Sequence, residues 1–352
     1  MKILALVTDA FESQGGIARF NRDFLKALSQ TKPQPEVVVL PRMTKEGKTS
    51  KPSYVMIAVK NYYEKGPFDF IFCGHLHLAP LAVLLSRLKK VPVWLQLHGI
   101  EAWQKPSVSI ANSVIQMDLI TAVSRFTRRS FLRWAAISPE KVRVLPNTVD
   151  ENFTPGPKPD YLLKRYGLEN KRILLTISRL SSQEKYKGQD RVIRILPRLL
   201  AREPHLVYAI GGAGDDRARL ETLSREYGIA GKVKFLGEIN ETELVDHYRM
   251  ADLFVMPSTG EGFGIVFLEA ARAGIPVVAA GVAGSPDALL EGRLGRLVNP
   301  NDPAALVKAI EESLASKNHL PKPVQRFSSS NFNHLMQNLV RDRLIPSGIK
   351  NG

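Results

Sequence analysis

The chain of 352 residues has one cysteine, Cys73, so it can form no intrachain disulfide. A lone thiol fits a reducing compartment such as the cytosol. The opening run, Met1 to Val7, is apolar but stops at Thr8-Asp9, which is too short for a signal peptide and reads as a first strand. No apolar run approaches the roughly 20 residues a membrane-spanning helix needs. There is no short-period repeat and no long low-complexity tract. Neither half carries a complete G-x-G-x-x-G fingerprint, which weighs against an NAD-dependent oxidoreductase. Negative charge is also in short supply: 34 Asp and Glu face 49 Lys and Arg, a net +15. The first 150 residues hold 21 basic against 11 acidic groups (+10), the remainder 28 against 23 (+5). A basic half suggests an anionic partner: acidic lipid, a phosphorylated acceptor or nucleic acid. The plain alternative is a merely soluble basic surface.

What is present is ample apolar material, 44% of the residues, in a chain long enough to favour two domains. Strand-like runs alternate with amphipathic, helix-length segments, which predicts α/β layers with parallel sheets. In the first half the strands are Lys2–Thr8, Glu36–Leu40, Phe70–Cys73, Val93–Leu97, Leu119–Val123 and Val142–Leu145. The helices are Ile17–Ser29, Leu78–Lys89, Val108–Met117 and Arg125–Ala136, while residues 41–60 are lysine-rich and undecided. From Asn147 to Pro159, three prolines and one glycine read as an extended linker. The second half repeats the plan with strands Arg172–Ile177, Leu206–Ile210, Val233–Phe235, Leu253–Met256 and Pro276–Ala279, and a helix at Pro303–Ala315. The expected domains are 1–155 and 156–320. A tail over 321–352, with a helix at Phe332–Leu344, is expected to pack back on the first domain. Two Rossmann-like halves facing across a cleft are the natural architecture, with ligands beyond the carboxyl ends of the strands.

The strongest chemical signal is Glu261-Gly262-Phe263-Gly264-Ile265-Val266-Phe267-Leu268-Glu269. It follows a strand and opens a helix. Its glycines free the backbone for close approach, and the N–H groups of Phe263, Gly264 and Ile265 form an anion site aided by the helix dipole. Glu261 and Glu269 bracket that site. Phosphate would repel them, so their use is to accept hydrogen bonds from sugar hydroxyls; a strand–turn–helix with two ordinary glutamates is the alternative. The second signal is Ser178-Arg179-Leu180 with Lys187-Gly188. Two fixed cations there would stabilise a departing diphosphate without a metal; two solvated loop charges are the alternative. No His, Asp or Glu cluster has metal-ligand spacing. Asp215-Asp216 starts a helix and reads as capping, and His75 with His77 makes too few ligands.

With these stretches, the second half resembles the family 4 glycosyltransferases of GT-B fold. Gly211-Gly212-Ala213-Gly214, Val233–Gly237, Gly274-Ile275-Pro276-Val277-Val278-Ala279, Gly284-Ser285-Pro286 and Gly295–Pro300 match in order and spacing. In the first half Gly15-Gly16, His98-Gly99, Ser124 and Pro146-Asn147-Thr148-Val149-Asp150 are consistent, so the likeness runs to about residue 315. The resemblance implies that Arg179 and Lys187 bind the donor diphosphate, Glu269 the ribose hydroxyls and Glu261 the donor sugar. It implies that His98 lies near the sugar's C6 hydroxyl and the reacting centre, and that the Gly15-Gly16 loop approaches the donor phosphates and the acceptor. It also implies a retaining reaction with no metal or other cofactor, in which the leaving phosphate takes the acceptor proton. One departure is Asp287, where many relatives carry Glu.

The acceptor side offers two candidate surfaces. Arg125, Arg128, Arg129 and Arg133 share a broad helical face, with Phe131 and Trp134 on the other, as in a basic membrane-contact helix or an ordinary half-buried one. The second is Lys45–Lys65. Together they suggest a cytoplasmic enzyme, peripheral at the inner face of the plasma membrane. It would move glucose from UDP-glucose, or mannose from GDP-mannose next, to a glycan or lipid-linked acceptor in bacterial exopolysaccharide or lipopolysaccharide-type synthesis. A nucleotide-sugar epimerase, a phosphorylase or another GT-B enzyme is the alternative within the fold. A basic nucleic-acid-binding protein explains the charge but not the paired glutamates, so no nucleic-acid partner is expected.

Overall fold

A computed structural model describes residues 1–12, 15–316 and 324–343. The chain divides into two compact units, one of Met1–Thr148 with the segment from Phe327, the other of Val149–Arg326.

The first unit is built on a parallel six-stranded sheet in the order β2-β1-β5-β6-β7-β8. Its strands are β1 (Lys2–Val7), β2 (Glu36–Pro41), β5 (Phe70–Cys73), β6 (Val93–Leu97), β7 (Leu119–Ala122) and β8 (Val142–Val144). The interior strands are apolar on both faces because helices cover both. Four helices follow in turn: α1 (Gly16–Ser29), α3 (Ala79–Lys89), α4 (Val108–Val114) and α5 (Arg125–Leu132). The undecided stretch 41–60 resolves into a small hairpin, β3 (Met43–Thr44) and β4 (Gly47–Lys48), and then helix α2 (Lys51–Lys65). Ser50 caps α2 by accepting the N–H of Ser53, and Tyr54, Ala58 and Tyr62 form its buried stripe at four-residue spacing. The tail helix α13 (Ser329–Arg343) packs on α1, with Phe332 edge-on to Phe20 at 5.7 Å. Leu344, the end read from the sequence, lies outside the described residues.

The second unit has a parallel six-stranded sheet in the order β11-β10-β9-β12-β13-β14. Its strands are β9 (Arg172–Ile177), β10 (Leu206–Gly211), β11 (Val233–Gly237), β12 (Leu253–Met256), β13 (Val277–Ala280) and β14 (Arg296–Val298). The helices are α6 (Asp160–Tyr166), α7 (Gln189–Leu200), α8 (Arg217–Glu226), α9 (Leu244–Arg249), α10 (Ile265–Arg272), α11 (Ser285–Ala288) and α12 (Pro303–Ala315). The proline-rich stretch read as a linker is fastened down at its start. Val149 and Phe153 are buried, and Arg249 donates to the carbonyl of Thr154 at 2.9 Å and to its hydroxyl at 2.8 Å. Among the described residues no helix is long and apolar enough to cross a membrane.

Candidate active site

In the second unit the candidate donor residues collect at the carboxyl ends of β9, β10 and β12. The loop after β9 lies backbone to backbone on the loop after β10. Leu180 donates to Ala213 at 2.9 Å, and a Cβ at Gly212 would sit 1.9 Å from the Ser178 carbonyl oxygen. Only glycine allows that approach, and Gly212 also has a φ of +123°. A short 3-10 segment, Ser182–Lys187, then lies beside the loop after β12, where Thr259 N–H donates to the Tyr186 carbonyl at 2.9 Å.

Lys187 is held there by Glu261, with Nζ 2.7 Å from Oε1 and both side chains largely withdrawn from water. Burial by itself pulls the ammonium pKa down, but the charge and hydrogen bond of Glu261 outweigh it and the net shift is upward. Lys187 is therefore a firmly charged cation. Arg179 differs: it is exposed and pairs with Glu184, a residue with no motif to announce it. Both cations read as diphosphate ligands thus begin with a carboxylate partner. An ammonium has three N–H donors and Glu261 Oε1 engages one, so Lys187 keeps capacity for an anion.

Past Glu261 the chain turns through Gly264, whose φ is +98°, into α10. A Cβ at Gly264 would meet the Phe267 ring at 2.4 Å. The N–H groups of Ile265 and Val266 have no backbone acceptor among the described residues. This is the arrangement an anion-binding helix start needs, next to the Lys187–Glu261 pair. Phe263 is buried against this turn. Glu269 is buried one helical turn further, and its Oε2 accepts the Tyr248 hydroxyl at 2.6 Å. Asp215 and Asp216 do not cap α8. Asp215 takes the N–H and hydroxyl of Ser182 at 2.8 and 2.6 Å, and Asp216 grips Arg219 with two bonds of 2.6 Å. Asp215 is spent on holding the loop at Ser182, and Asp216 on the first turn of α8. No group of three or more His, Cys, Asp or Glu side chains is gathered to hold a metal among the described residues.

In the first unit Gly15 and Gly16 open α1 after β1, and Phe20 of that helix lies edge-on to His98 at 5.1 Å. His98 is half-buried, with Nε2 2.9 Å from the Gly74 carbonyl and its own N–H donating to Glu101 at 2.5 Å. Burial lowers its pKa, against the upward pull of Glu101 and of the Gly74 bond. Burial pushes neighbouring His75 down to about 4. The unfolded rings titrate near their ordinary value of about 6.5 and so bind protons first as pH falls. Stability is then complete above about pH 6.5 and declines by on the order of 2–3 kcal/mol as pH drops toward about 4. Urea unfolding at pH 7 and at pH 4.5 checks this; equal stabilities would mean that the rings titrate as in water.

The arginine helix is half-buried, packed by its apolar side on its own core. It ends at Leu132, Trp134 donates to the Ala102 carbonyl at 2.9 Å, and Phe131 is fully buried under it. Arg128 holds the carbonyls of Val142 and Pro139 at 2.8 and 2.9 Å. The apolar side of α5 is therefore used on its own core and Arg128 anchors β8, which leaves Arg125, Arg129 and Arg133 exposed. Four exposed apolar side chains lie on α2, Val55, Met56, Ile57 and Tyr63, beside exposed Lys51, Lys60 and Lys65.

Two family models match the chain: glycosyl transferases group 1 over residues 162–329 and glycosyltransferase family 4 over residues 14–153. A GDP-mannose-dependent α-(1-6)-phosphatidylinositol monomannoside mannosyltransferase of Mycolicibacterium smegmatis is 36% identical over 56% of this chain and 53% of its own. A D-inositol 3-phosphate glycosyltransferase of Catenulispora acidiphila is 34% identical over 73% of this chain and 65% of its own. The chain thus spans between about half and two thirds of the length of these curated relatives. Among solved structures, HepE of Anabaena in complex with UDP matches with a TM-score of 0.79 at 21% identity, over 97% of this chain and all of that one. That likeness places the fold among the GT-B proteins.

Proposed function

Because this chain belongs to the family 4 glycosyltransferases, we propose that it moves a hexosyl group from a nucleotide sugar to a hydroxyl of a glycan or lipid-linked acceptor. The observation that carries this reading is the charged, largely buried Lys187–Glu261 pair at the glycine turn that opens α10. A diphosphate leaving group gains negative charge as the glycosidic bond breaks. A fixed ammonium and helix-start N–H groups in a poorly solvated site stabilise that charge without reorganising. Arg179, exposed on its loop, exchanges Glu184 for the phosphates. Glu269 accepts ribose hydroxyls on the carboxylate edge that Tyr248 orients, and Glu261 contacts the donor sugar. His98 meets a sugar hydroxyl. The acceptor hydroxyl attacks on the face the diphosphate leaves, with retention of configuration.

The relative named for GDP-mannose puts that donor first in a test panel, with UDP-glucose second. A saturating donor, at about 100 times its Kd, raises stability by about 2.7 kcal/mol. Thermal shift and donor hydrolysis, with and without EDTA, should single out one nucleotide sugar, unaffected by the chelator. The response should be lost in Glu269→Ala. Folded protein that answers to no nucleotide sugar sinks the reading.

Beside the exposed arginines of α5, the second candidate membrane surface is on α2. Val55, Met56, Ile57 and Tyr63 insert among acyl chains while Lys51, Lys60 and Lys65 meet anionic headgroups, each lysine adding about 1 kcal/mol. Vesicles with phosphatidylserine should sediment the protein at low salt, and Met56→Asp should weaken that about tenfold. Equal binding to neutral vesicles, or none to anionic ones, goes against it.

A further inference from the structure

The first unit holds a polar pair that the donor chemistry above leaves half unused. β5 and β6 are neighbours in parallel register, with Cys73 opposite Leu95. Each leads into a histidine: His75 two residues past β5, and His98 directly past β6. The carboxyl end of such a sheet is where α/β proteins present groups to ligands. The two rings are nearly parallel, 25° apart, with centroids separated by 6.4 Å.

Their backbone contacts set opposite hydrogen-bonding roles. His75 Nδ1 accepts the N–H of His77 at 3.2 Å, so the proton of the neutral ring sits on Nε2. His98 Nε2 faces the carbonyl of Gly74, which can only accept; Nε2 carries the proton and Nδ1 keeps its lone pair. Neither His75 Nε2 nor His98 Nδ1 has a hydrogen-bond partner among the described residues. Gly74 is tied to β1 by its N–H, which donates to the Leu6 carbonyl at 2.8 Å, in a place with no room for a Cβ, which would lie 2.9 Å from Val7 Cγ1. Its carbonyl is therefore a fixed anchor for the His98 ring.

We propose that His75 Nε2–H and His98 Nδ1 form a donor–acceptor pair that binds hydroxyls of a neutral polyol ring, either the hexose of the donor or the hydroxylated ring of the acceptor. This rests on the transferase reading and adds His75 to it as a binding residue. A neutral ligand is favoured because Glu101 stands against the pair, its Oε1 taking the N–H groups of His98 and Gly99 at 2.5 and 3.2 Å. A phosphate placed there would meet that carboxylate and no cationic imidazole, since burial lowers both ring pKa values. A hydroxyl suits the pair because it both donates and accepts.

Two substitutions remove one function each and keep the backbone contact. His75→Asn retains an acceptor for His77 N–H and deletes the Nε2 donor; His98→Gln retains an amide donor for Gly74 and deletes the Nδ1 acceptor. Long-range ¹⁵N NMR of the imidazoles should read both rings as Nε2–H tautomers. A nucleotide sugar or myo-inositol should move the His75 and His98 signals, while inorganic phosphate and bare nucleoside diphosphate should not. A response to the nucleotide sugar alone assigns the donor hexose, and one to myo-inositol alone assigns the acceptor. His75→Asn should raise KM for that substrate about 10- to 100-fold with kcat little changed, the mark of a lost binding contact. An Nδ1–H tautomer at His75 overturns the pair. So does a nucleotide sugar that raises the melting temperature while neither it nor myo-inositol moves the rings, and in that case the transferase reading survives. Folded protein that binds no nucleotide sugar overturns the transferase reading, and the myo-inositol arm then decides the pair by itself.

Discussion

Lys187→Ala is expected to lower kcat/KM about 1,000-fold, a loss of roughly 4 kcal/mol of transition-state stabilisation. The ammonium sits 2.7 Å from Glu261 Oε1 beside the start of α10, where the proposed reading puts the diphosphate. The substitution also leaves Glu261 buried without its cation. Breaking a buried pair by removing one partner costs about 3–5 kcal/mol, and with both side chains keeping some water contact about 2–4 kcal/mol is the expected loss of stability. The two effects separate in a double substitution. Lys187→Met with Glu261→Gln removes both charges, so stability should return to within about 1 kcal/mol of the parent, since replacing both partners is often neutral. On the proposed reading activity should stay low, because nothing replaces the cation assigned to the leaving group. Steady-state kinetics and urea unfolding on the single and double variants make the comparison. A Lys187→Ala enzyme with most of its turnover intact would reduce the pair to a structural ion pair.

Legibility in the sequence followed the physics of each element. Interior strands were plain because burial on both faces leaves continuous apolar runs, as in Phe70–Cys73 and Leu253–Met256. Helix α12 could be read to both ends because Asp302 caps it, accepting the N–H of Ala305 at 3.0 Å, and Pro303 fits its first turn. α2 was undecided because its buried stripe is only Tyr54, Ala58 and Tyr62, and exposed Val55, Met56 and Ile57 blur the period. β14 was missed because it is a three-residue edge strand with one buried side chain. At the candidate site, glycines and charged residues of the motifs were legible because each motif is one continuous stretch, although Lys187 meets Glu261 only across the fold. Glu184, Tyr248 and Glu101 were not. Their partners are chosen by how loops stack, and no local pattern encodes that. The same holds for Asp215 and Asp216, whose place before α8 suggests capping while Ser182 and Arg219 claim their oxygens.

Gly284→Ala is expected to be strongly damaging beside the candidate donor site, through steric overlap alone. Gly284 has ordinary helical angles, φ −85° and ψ −10°, so alanine meets no backbone penalty of its own. The obstacle is steric. A Cβ there would lie 2.2 Å from the Gly262 carbonyl oxygen, 2.5 Å from its carbon and 2.8 Å from the Glu261 oxygen. All three atoms are backbone and cannot swing aside as a side chain would. The Gly284 N–H also donates to the Glu261 carbonyl at 2.9 Å, so relieving the clash breaks that bond and pushes Glu261-Gly262 away. Overpacking of this kind costs about 1–3 kcal/mol, and a lost bond with a stranded carbonyl adds about 1 kcal/mol or more. The displacement reaches the Lys187–Glu261 pair directly, so donor affinity should fall by about 100-fold, since misplacing catalytic groups by about 1 Å has that scale of effect. Gly231→Ala is the control, because a Cβ there meets nothing within 4 Å and its φ is not in the left-handed region. It should leave stability and donor binding near those of the parent. Urea unfolding and a donor titration on the two variants test the argument, and a Gly284→Ala protein as stable and as avid for donor as Gly231→Ala would show that the Glu261-Gly262 backbone yields freely.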